Sequence, residues 1–307
     1  MIADPGAGAL AETLAAEGLT STSSPAWGVR SETGALHEVL VARPVHLEAL
    51  PCNAAARRAL ADGHVSCALT ALRQHRAFVA ALERAGVRCR EVPPSAGLVD
   101  LTFTRDPVTM TPWGAIGLSL AVEHRRGETD AVLSALKALG VPIAGRVGDG
   151  HVEGGDVCLV RDGLVAIGIN GERTDEAGAH ALGKLFEQRG WRVVTTRFDP
   201  AHLHLDTLLT MIGERLAVAC RDALDPALLG ELESLGIAIV DASLADSHRL
   251  GANLLSLGRG RVLAAAGSGA LEAALRQRGI DVIAVDLGEF IRCGGGPHCL
   301  TMPLARA

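Results

Sequence analysis

A chain of 307 residues, 48% apolar and 21% charged, can bury a large core and is too hydrophobic to remain disordered. Its net charge of −6 and its 3% of aromatic residues supply neither a basic surface for phosphate nor rings to stack on bases, which argues against nucleic acid as a partner. No apolar run approaches the roughly 20 residues that a bilayer demands, and MIADPGAGALAETLAAEG at the start lacks the layout of a signal peptide, so no membrane contact is expected.

The seven cysteines, an odd number with no CxxC pair, argue against a disulfide framework and fit a reducing, cytoplasmic setting. Residues 1–25 follow no pattern and read as an N-terminal arm. Residues 26–307 read as one domain. It opens on an irregular unit: an apolar strand in GALHEVLVARP, the long helical segment ALTALRQHRAFVAALERAG and a second strand in VRCREVP. Four clearer units follow, spaced by about 50 residues. Their hairpins start at Asp106 (DPVTMTPWGAIGLS), Asp156 (DVCLVRDGLVAIGI), Asp206 (DTLLTMIGERLAVAC) and Asn253 (NLLSLGRGRVLAAAG), each with a Gly or Pro turn between two apolar runs.

A helix-period segment follows each hairpin: TDAVLSALKALG, TDEAGAHALGKLFEQRG, DPALLGELESLG and GALEAALRQRG, with Thr, Asp or Ser placed to cap. A β-branched strand then returns in VPIAG, WRVVTTR, IAIVDA and IDVIAVD. No such strand-strand-helix-strand unit buries an apolar face alone, so five of them should pack about a common axis in an α/β fold, with loops converging at the centre.

Acidic and imidazole groups concentrate in FTRDP (103–107), HVEGGDV (151–157) and HLHLDT (202–207), and Cys299 stands on the glycine-rich loop GGGPHC near the C-terminus. A cysteine nucleophile needs a group that lowers its pKa or takes its proton, usually a histidine, and these loops offer His204 and His298. In an extended HLHLDT, alternation would point His202, His204 and Asp206 to one face. His298 reads as a solvated neighbour of Cys299, because adjacent residues of an extended loop point apart, and His151 as a surface residue. Asp106 before Pro107 could merely start a turn, EGGD could be a tight loop, and Arg173 could simply enter a helix. HxHxD is also a zinc-holding spacing, incomplete here because Thr207 stands where a further histidine is common, so no metal is expected.

FTRDP, EGGDV, GERT, HLDT and GGPHC, in this order, resemble the arginine deiminase and dimethylarginine dimethylaminohydrolase branch of the guanidine-modifying enzymes. The resemblance spans residues 103–303 and implies a five-bladed α/β propeller, in agreement with the repeat count. It implies further that Cys299 attacks the central carbon of a guanidinium, that His204 protonates the leaving amine and then activates water, and that a urea is released from a covalent thiouronium without any cofactor. Glu153, Asp106 and Asp206 match the carboxylates that grip the guanidinium nitrogens; Glu153 is counted with Cys299 and His204 in the catalytic set. Arg173 and Arg125 match clamps for an amino-acid carboxylate, with Arg126 competing for the second place.

The implied ligand is a small guanidino amino acid. EGGD, HLDT and GGPHC lean toward arginine deiminase, whereas RRGET and the GAN stretch around Asn253 lean toward the dimethylaminohydrolases. Free arginine, a methylated arginine and another guanidino acid stay open, as do homo-oligomerisation and the role of Asn253. An amidinotransferase, which hands the amidino group to an amine instead of water, is the alternative. A metallohydrolase and a non-catalytic binding protein rank below it.

Overall fold

The computed structural model describes residues 27–307; the arm expected over residues 1–25 lies outside them. Five three-stranded sheets account for every named strand among the described residues. The first holds β1 (Leu36–Ala42) and β2 (Arg88–Val92). The second holds β3 (Val108–Thr111), β4 (Gly114–Gly117) and β5 (Ile143–Arg146), and the third β6 (Val157–Arg161), β7 (Leu164–Ile169) and β8 (Arg192–Arg197). The fourth holds β9 (Leu209–Gly213), β10 (Leu216–Ala219) and β11 (Ala238–Asp241), and the fifth β12 (Leu255–Gly258), β13 (Arg261–Ala265) and β14 (Asp281–Val285). β15 (Met302–Arg306) returns from the far end of the chain to complete the first sheet.

Each middle strand pairs antiparallel with the strand that opens its sheet and parallel with the one that closes it. The antiparallel pair needs only a tight turn, while the parallel pair needs a long crossover, which a helix supplies. α2 (Ala68–Arg84), α3 (Glu128–Ala138), α4 (Glu176–Glu187), α5 (Pro226–Ser234) and α7 (Gly269–Gln277) are those crossovers; α1 (Ala54–Ala61), α6 (Leu244–His248) and α8 (Gly288–Arg292) are short additions that the sequence reading did not anticipate. Asp175 and Asp225 cap α4 and α5 as expected. Thr129 does not cap α3: that helix starts at Glu128, and the Thr129 hydroxyl donates instead to the Leu118 carbonyl at 3.0 Å.

Burial sorts the strands radially. The opening strands β3, β6, β9 and β12 are buried almost throughout, whereas the closing strands β2, β5, β8, β11 and β14 are partly or fully exposed along most of their length. A strand covered on both faces reads as a continuous apolar run. MIG in β9 and VCLV in β6 are such runs, and they therefore lie innermost. The architecture is a five-bladed α/β propeller, with the apolar packing divided among clusters between neighbouring blades.

The one pairing the repeat did not announce is β15 with β1, where Met302 lies opposite Leu40 and Pro303 opposite Val39. The apolar tail after Cys299 is thus the missing opening strand of the irregular first unit. Closing the ring this way ties the two ends of the fold together and seats the loop 294–301 just ahead of an inner strand, where the other units carry Asp106, Asp156, Asp206 and Asn253.

Candidate active site

The residues heading each unit are all buried, and each hydrogen-bonds to the next blade. Asp106 Oδ1 accepts from the Gly155 N–H at 3.2 Å, and Asp156 Oδ1 from the Leu205 N–H at 2.8 Å. Asn253 Nδ2 donates to the Asp206 carbonyl at 3.2 Å, and Asn253 Oδ1 accepts from the N–H groups of His298 and Cys299. The circuit ends where the Arg105 N–H donates to the Cys299 carbonyl at 3.3 Å. Buried polar groups must be paired, so this ring sets the mutual position of five loops that are distant in sequence.

Those loops wall a nearly closed cavity lined by Cys299, His204, Asp106, Arg125, Arg173 and Asp100, with Cys52, Asn53, Phe103 and the loop 293–295. Cys299 Sγ lies there at 2% residue exposure, donates to Asp206 Oδ2 at 3.3 Å and accepts from Asn253 Nδ2 at 3.2 Å. Burial, then the anions Asp206 and Asp106, push the thiol well above its ordinary value. Of its two contacts, the Asp206 carboxylate favours the thiol and the Asn253 amide favours the thiolate.

His204 Nε2 lies 2.8 Å from Glu153 Oε2, and its Nδ1, without a hydrogen-bond partner among the described residues, is 3.8 Å from Asp106 Oδ1. Burial opposes the imidazolium, but Asp106, Asp156 and Glu153 together outweigh it and raise His204 to about 9. Glu153 also suffers burial, yet Arg173, His204 and Arg125 hold it below the usual carboxylate range. Asp156, as fully buried, is the opposite case: the His204 charge, the Thr174 hydroxyl and the Leu205 N–H do not offset desolvation, and its pKa rises to about 7.

Both arginines are turned inward onto carboxylates. Arg125 Nη1 donates to Asp106 Oδ2 at 2.8 Å, and its Nε and Nη2 grip Glu128 at 2.8 to 3.1 Å. Arg173 Nη1 donates to Glu153 Oε2 at 3.1 Å and Nη2 to the Cys52 carbonyl at 3.0 Å. Arg126 is exposed and faces away, so between the two neighbours it is Arg125 that enters the cavity.

Several expectations change. His298 is not solvated: it is 4% exposed, with Nδ1 2.8 Å from Asp206 Oδ2 and Nε2 3.2 Å from Glu32 Oε2. The loop coils after it, with Thr301 N–H bonded to the His298 carbonyl, so adjacent side chains need not diverge. The alternation expected across HLHLDT also fails. Leu205–Thr207 form a single 3-10 turn that brings Asp206 to the thiol, while His202 stacks on His248 with ring centroids 5.8 Å apart. That separation of His202 from His204 dismantles the HxHxD zinc arrangement.

Asp100, Glu32 and Glu128 were not singled out from sequence, and lone acids in LVDLT, SETG and RGET carry no local signal. Asn253, whose role stayed open, contacts Cys299 directly. Two glycines explain the spacing of the motifs: a Cβ on Gly155 would lie 2.6 Å from His204 Nδ1, and one on Gly295 would lie 2.0 Å from the Phe103 ring. EGGD and GGGPHC are glycine-rich because neighbouring loops close directly onto them.

Comparison with known proteins agrees with this architecture. A family model described as N,N dimethylarginine dimethylhydrolase, eukaryotic, matches residues 48–306. An uncharacterized Bacillus subtilis protein, YkgA, is 29% identical over 278 residues, covering 90% of this chain and 94% of that one. The N(G),N(G)-dimethylarginine dimethylaminohydrolase of Streptomyces coelicolor is 30% identical over 235 residues, 76% of this chain and 86% of its own length. Among solved structures, the dimethylarginine dimethylaminohydrolase of Pseudomonas aeruginosa superposes with a TM-score of 0.73 at 24% identity, covering 88% of this chain and 99% of that one. With its five blades, its converging loops and a match across most of its length, the chain belongs to the dimethylarginine dimethylaminohydrolase family.

Proposed function

We propose that this protein is a cofactor-free, cysteine-dependent hydrolase of the guanidinium C–N bond of arginine or a methylated arginine, releasing citrulline and ammonia or an alkylamine. The observation that carries the reading is the meeting, at one cavity, of the Cys299 thiol, the His204 imidazolium and the Asp106 carboxylate, with Glu153 bonded to His204 and Asp206 to Cys299 just behind the wall. A planar cation with several N–H donors is the complement of such an anionic wall, and Asp206 Oδ1 has no hydrogen-bond partner among the described residues. Family membership supports the same reading, as do the free thiols, which suit a cytoplasmic setting.

In this mechanism the substrate is the switch. Burial, and then Asp206 and Asp106, keep the thiol protonated; a guanidinium neutralises those two anions, so its arrival removes their part of the obstacle and the thiol proton is released to solvent. The thiolate attacks the guanidinium carbon, His204 gives its proton to the departing nitrogen as that C–N bond breaks, and a thiouronium remains on Cys299. His204, now neutral, takes a proton from water; the hydroxide adds to the same carbon, the C–S bond breaks, the new hydroxyl gives its proton to solvent, and the ureido product leaves with the thiolate restored.

Binding also demands rearrangement, because the cavity has room for about one water molecule. Arg173 and Arg125 occupy Glu153 and Asp106 as internal stand-ins for the substrate cation. A guanidino acid exchanges with them: its guanidinium takes the carboxylates, and its own carboxylate takes a released arginine.

The test is product analysis with arginine and with mono- and dimethylarginine, without an amine acceptor. Citrulline should form with the wild type, and Cys299→Ala should lose at least about 1000-fold in kcat. Citrulline formation by Cys299→Ala at the wild-type rate would overturn the nucleophile. Amidino transfer to an added amine such as glycine, with no citrulline in its absence, would overturn hydrolysis.

A further inference from the structure

The cavity around Cys299 continues outward past its own wall. Asn53, Leu203 and Gly294, which line it, also line the groove beside it, and Arg58, His202 and His248 wall that groove further out. Arg58 and His248 then line a pocket of about 410 Å³, open to the surface between α1, α6 and α8, with room for the amino-acid end of a ligand that the cavity itself is too small to hold. α1 carries the wall outward. Asn53 caps its first turn by accepting from the Ala56 N–H at 2.9 Å, and Arg58, five residues on, stands about 7.5 Å further along the axis.

Charge changes sign along this route. The inner wall carries Asp100 and Asp106 in the cavity and Glu153 and Asp206 behind it, with Arg125 and Arg173 answering two of these acids until a substrate cation replaces them. At the mouth, His64 and Arg292 both turn to Glu289, 3.3 Å away in each case. Arg58 is exposed and has no ion pair among the described residues, although Asp62, four residues on, lines the same pocket. Burial and the neighbouring His248 lower His202 below its ordinary value, so that imidazole supplies a hydrogen-bond donor and not a charge near neutrality.

We propose that Arg58, with His202 and His248 beside it, is an outer subsite that takes the carboxylate of an entering guanidino acid and so fixes the guanidinium-first orientation in which the ligand reaches Cys299. It rests on the hydrolase reading for its substrate. It is a station separate from Arg125 and Arg173, which are buried on Asp106 and Glu153 when the ligand arrives. A guanidino acid is a dipole: the acids inside repel its carboxylate, a cation at the mouth holds it there, and the walls of a narrow passage focus both effects. With the carboxylate held outside, the guanidinium competes for Asp106 and Glu153, and a released arginine then takes the carboxylate over. The same cation repels a guanidine that has no carboxylate to offset its charges, so Arg58 selects guanidino acids over guanidino amines. A cation in the last turn of a helix also suits the helix dipole, but that role alone is indifferent to the ligand.

Calorimetric titration of Cys299→Ser with arginine, monomethylarginine and agmatine reads binding without turnover. Adding Arg58→Ala should weaken the two amino acids about fivefold at low salt and leave agmatine bound as tightly or more so. High salt should shrink that split, because the contact is exposed, and Arg58→Lys should keep most of the preference. Thermal denaturation establishes that each variant is folded. In the active enzyme, Arg58→Ala should raise KM for the amino acids by the same factor of about five. Equal losses for the amino acids and agmatine, or no loss at all, would overturn the subsite while leaving hydrolysis untouched. A protein that shows the split yet turns over none of the three would overturn the hydrolase reading alone, and failure of all three ligands to bind would overturn both.

Discussion

Asp206 joins two parts of the site: one carboxylate oxygen meets both the Cys299 thiol and His298, and beyond His298 lie Glu32 and Arg105. Burial alone would raise Asp206, but the His298 hydrogen bond and charge bring it below its ordinary value. His298 is thus a positioning residue, holding Asp206 anionic and aimed at the thiol. His298→Ala should lower kcat/KM by up to about 100-fold. It should also move the acid limb of the pH–rate profile upward, because Asp206 then takes a proton at higher pH; His298→Gln, which keeps one donor, should recover part of the loss. A profile identical to that of the wild type would reduce His298 to packing. None of this network was legible in sequence, since Glu32 and Asp206 are 174 positions apart and only the closed ring makes them neighbours.

At the level of elements, the loops that precede the inner strands carry the chemistry, and their shape is set by what they touch. Gly295 packs against Phe103, which in turn meets Phe290 edge-on with centroids 6.5 Å apart, so the ring cannot retreat toward Phe290. Gly295→Ala should therefore cost roughly 1–3 kcal/mol through overpacking and shift the 294–299 loop. Denaturant unfolding together with the rate of Cys299 alkylation would measure both effects. Unchanged stability with unchanged alkylation would contradict the close approach. The hairpins and crossover helices were legible because alternation, Gly turns and helical periodicity are local properties. Thr129 was misread as a cap because the carbonyl of Leu118, on a neighbouring segment, competes for its hydroxyl.

For the whole molecule, the buried ionisable groups fix how stability depends on pH. His204 rises from 6.5 to about 9, so its stabilising contribution is complete below pH 6.5 and lost as pH climbs through 9. Asp156 and Glu128, each raised to about 7, mainly by burial, favour the protonated fold; their contribution is complete below 3.8 and 4.5 respectively and disappears as pH rises through 7. Glu32, Glu153 and Asp206 are lowered, so theirs is complete above the ordinary carboxylate range and lost only in stronger acid. The sum of these groups places maximal stability near pH 4–5, with Tm lower by about 5–10 °C at pH 9. Asp156→Asn should flatten the part of that decline between pH 5 and 8. A Tm that stays level or rises from pH 5 to 9 would show that these groups are not held as described.

The amino-acid sequence by itself determined the repeating unit, its count, and the loops on which Cys299, His204, Glu153 and the aspartates lie, because periodicity and turn chemistry act over a few residues and the spacing of the motifs is written in order. Only the tertiary structure decided that the C-terminal strand completes the first blade, that Arg125 rather than Arg126 faces inward, that His298 is buried between two carboxylates, and that Arg58, His202 and His248 line one groove. Each of those outcomes depends on ring closure. Closure is a long-range event, in which strands from opposite ends of the chain pair because no other edge can satisfy their backbone groups and cover their apolar faces.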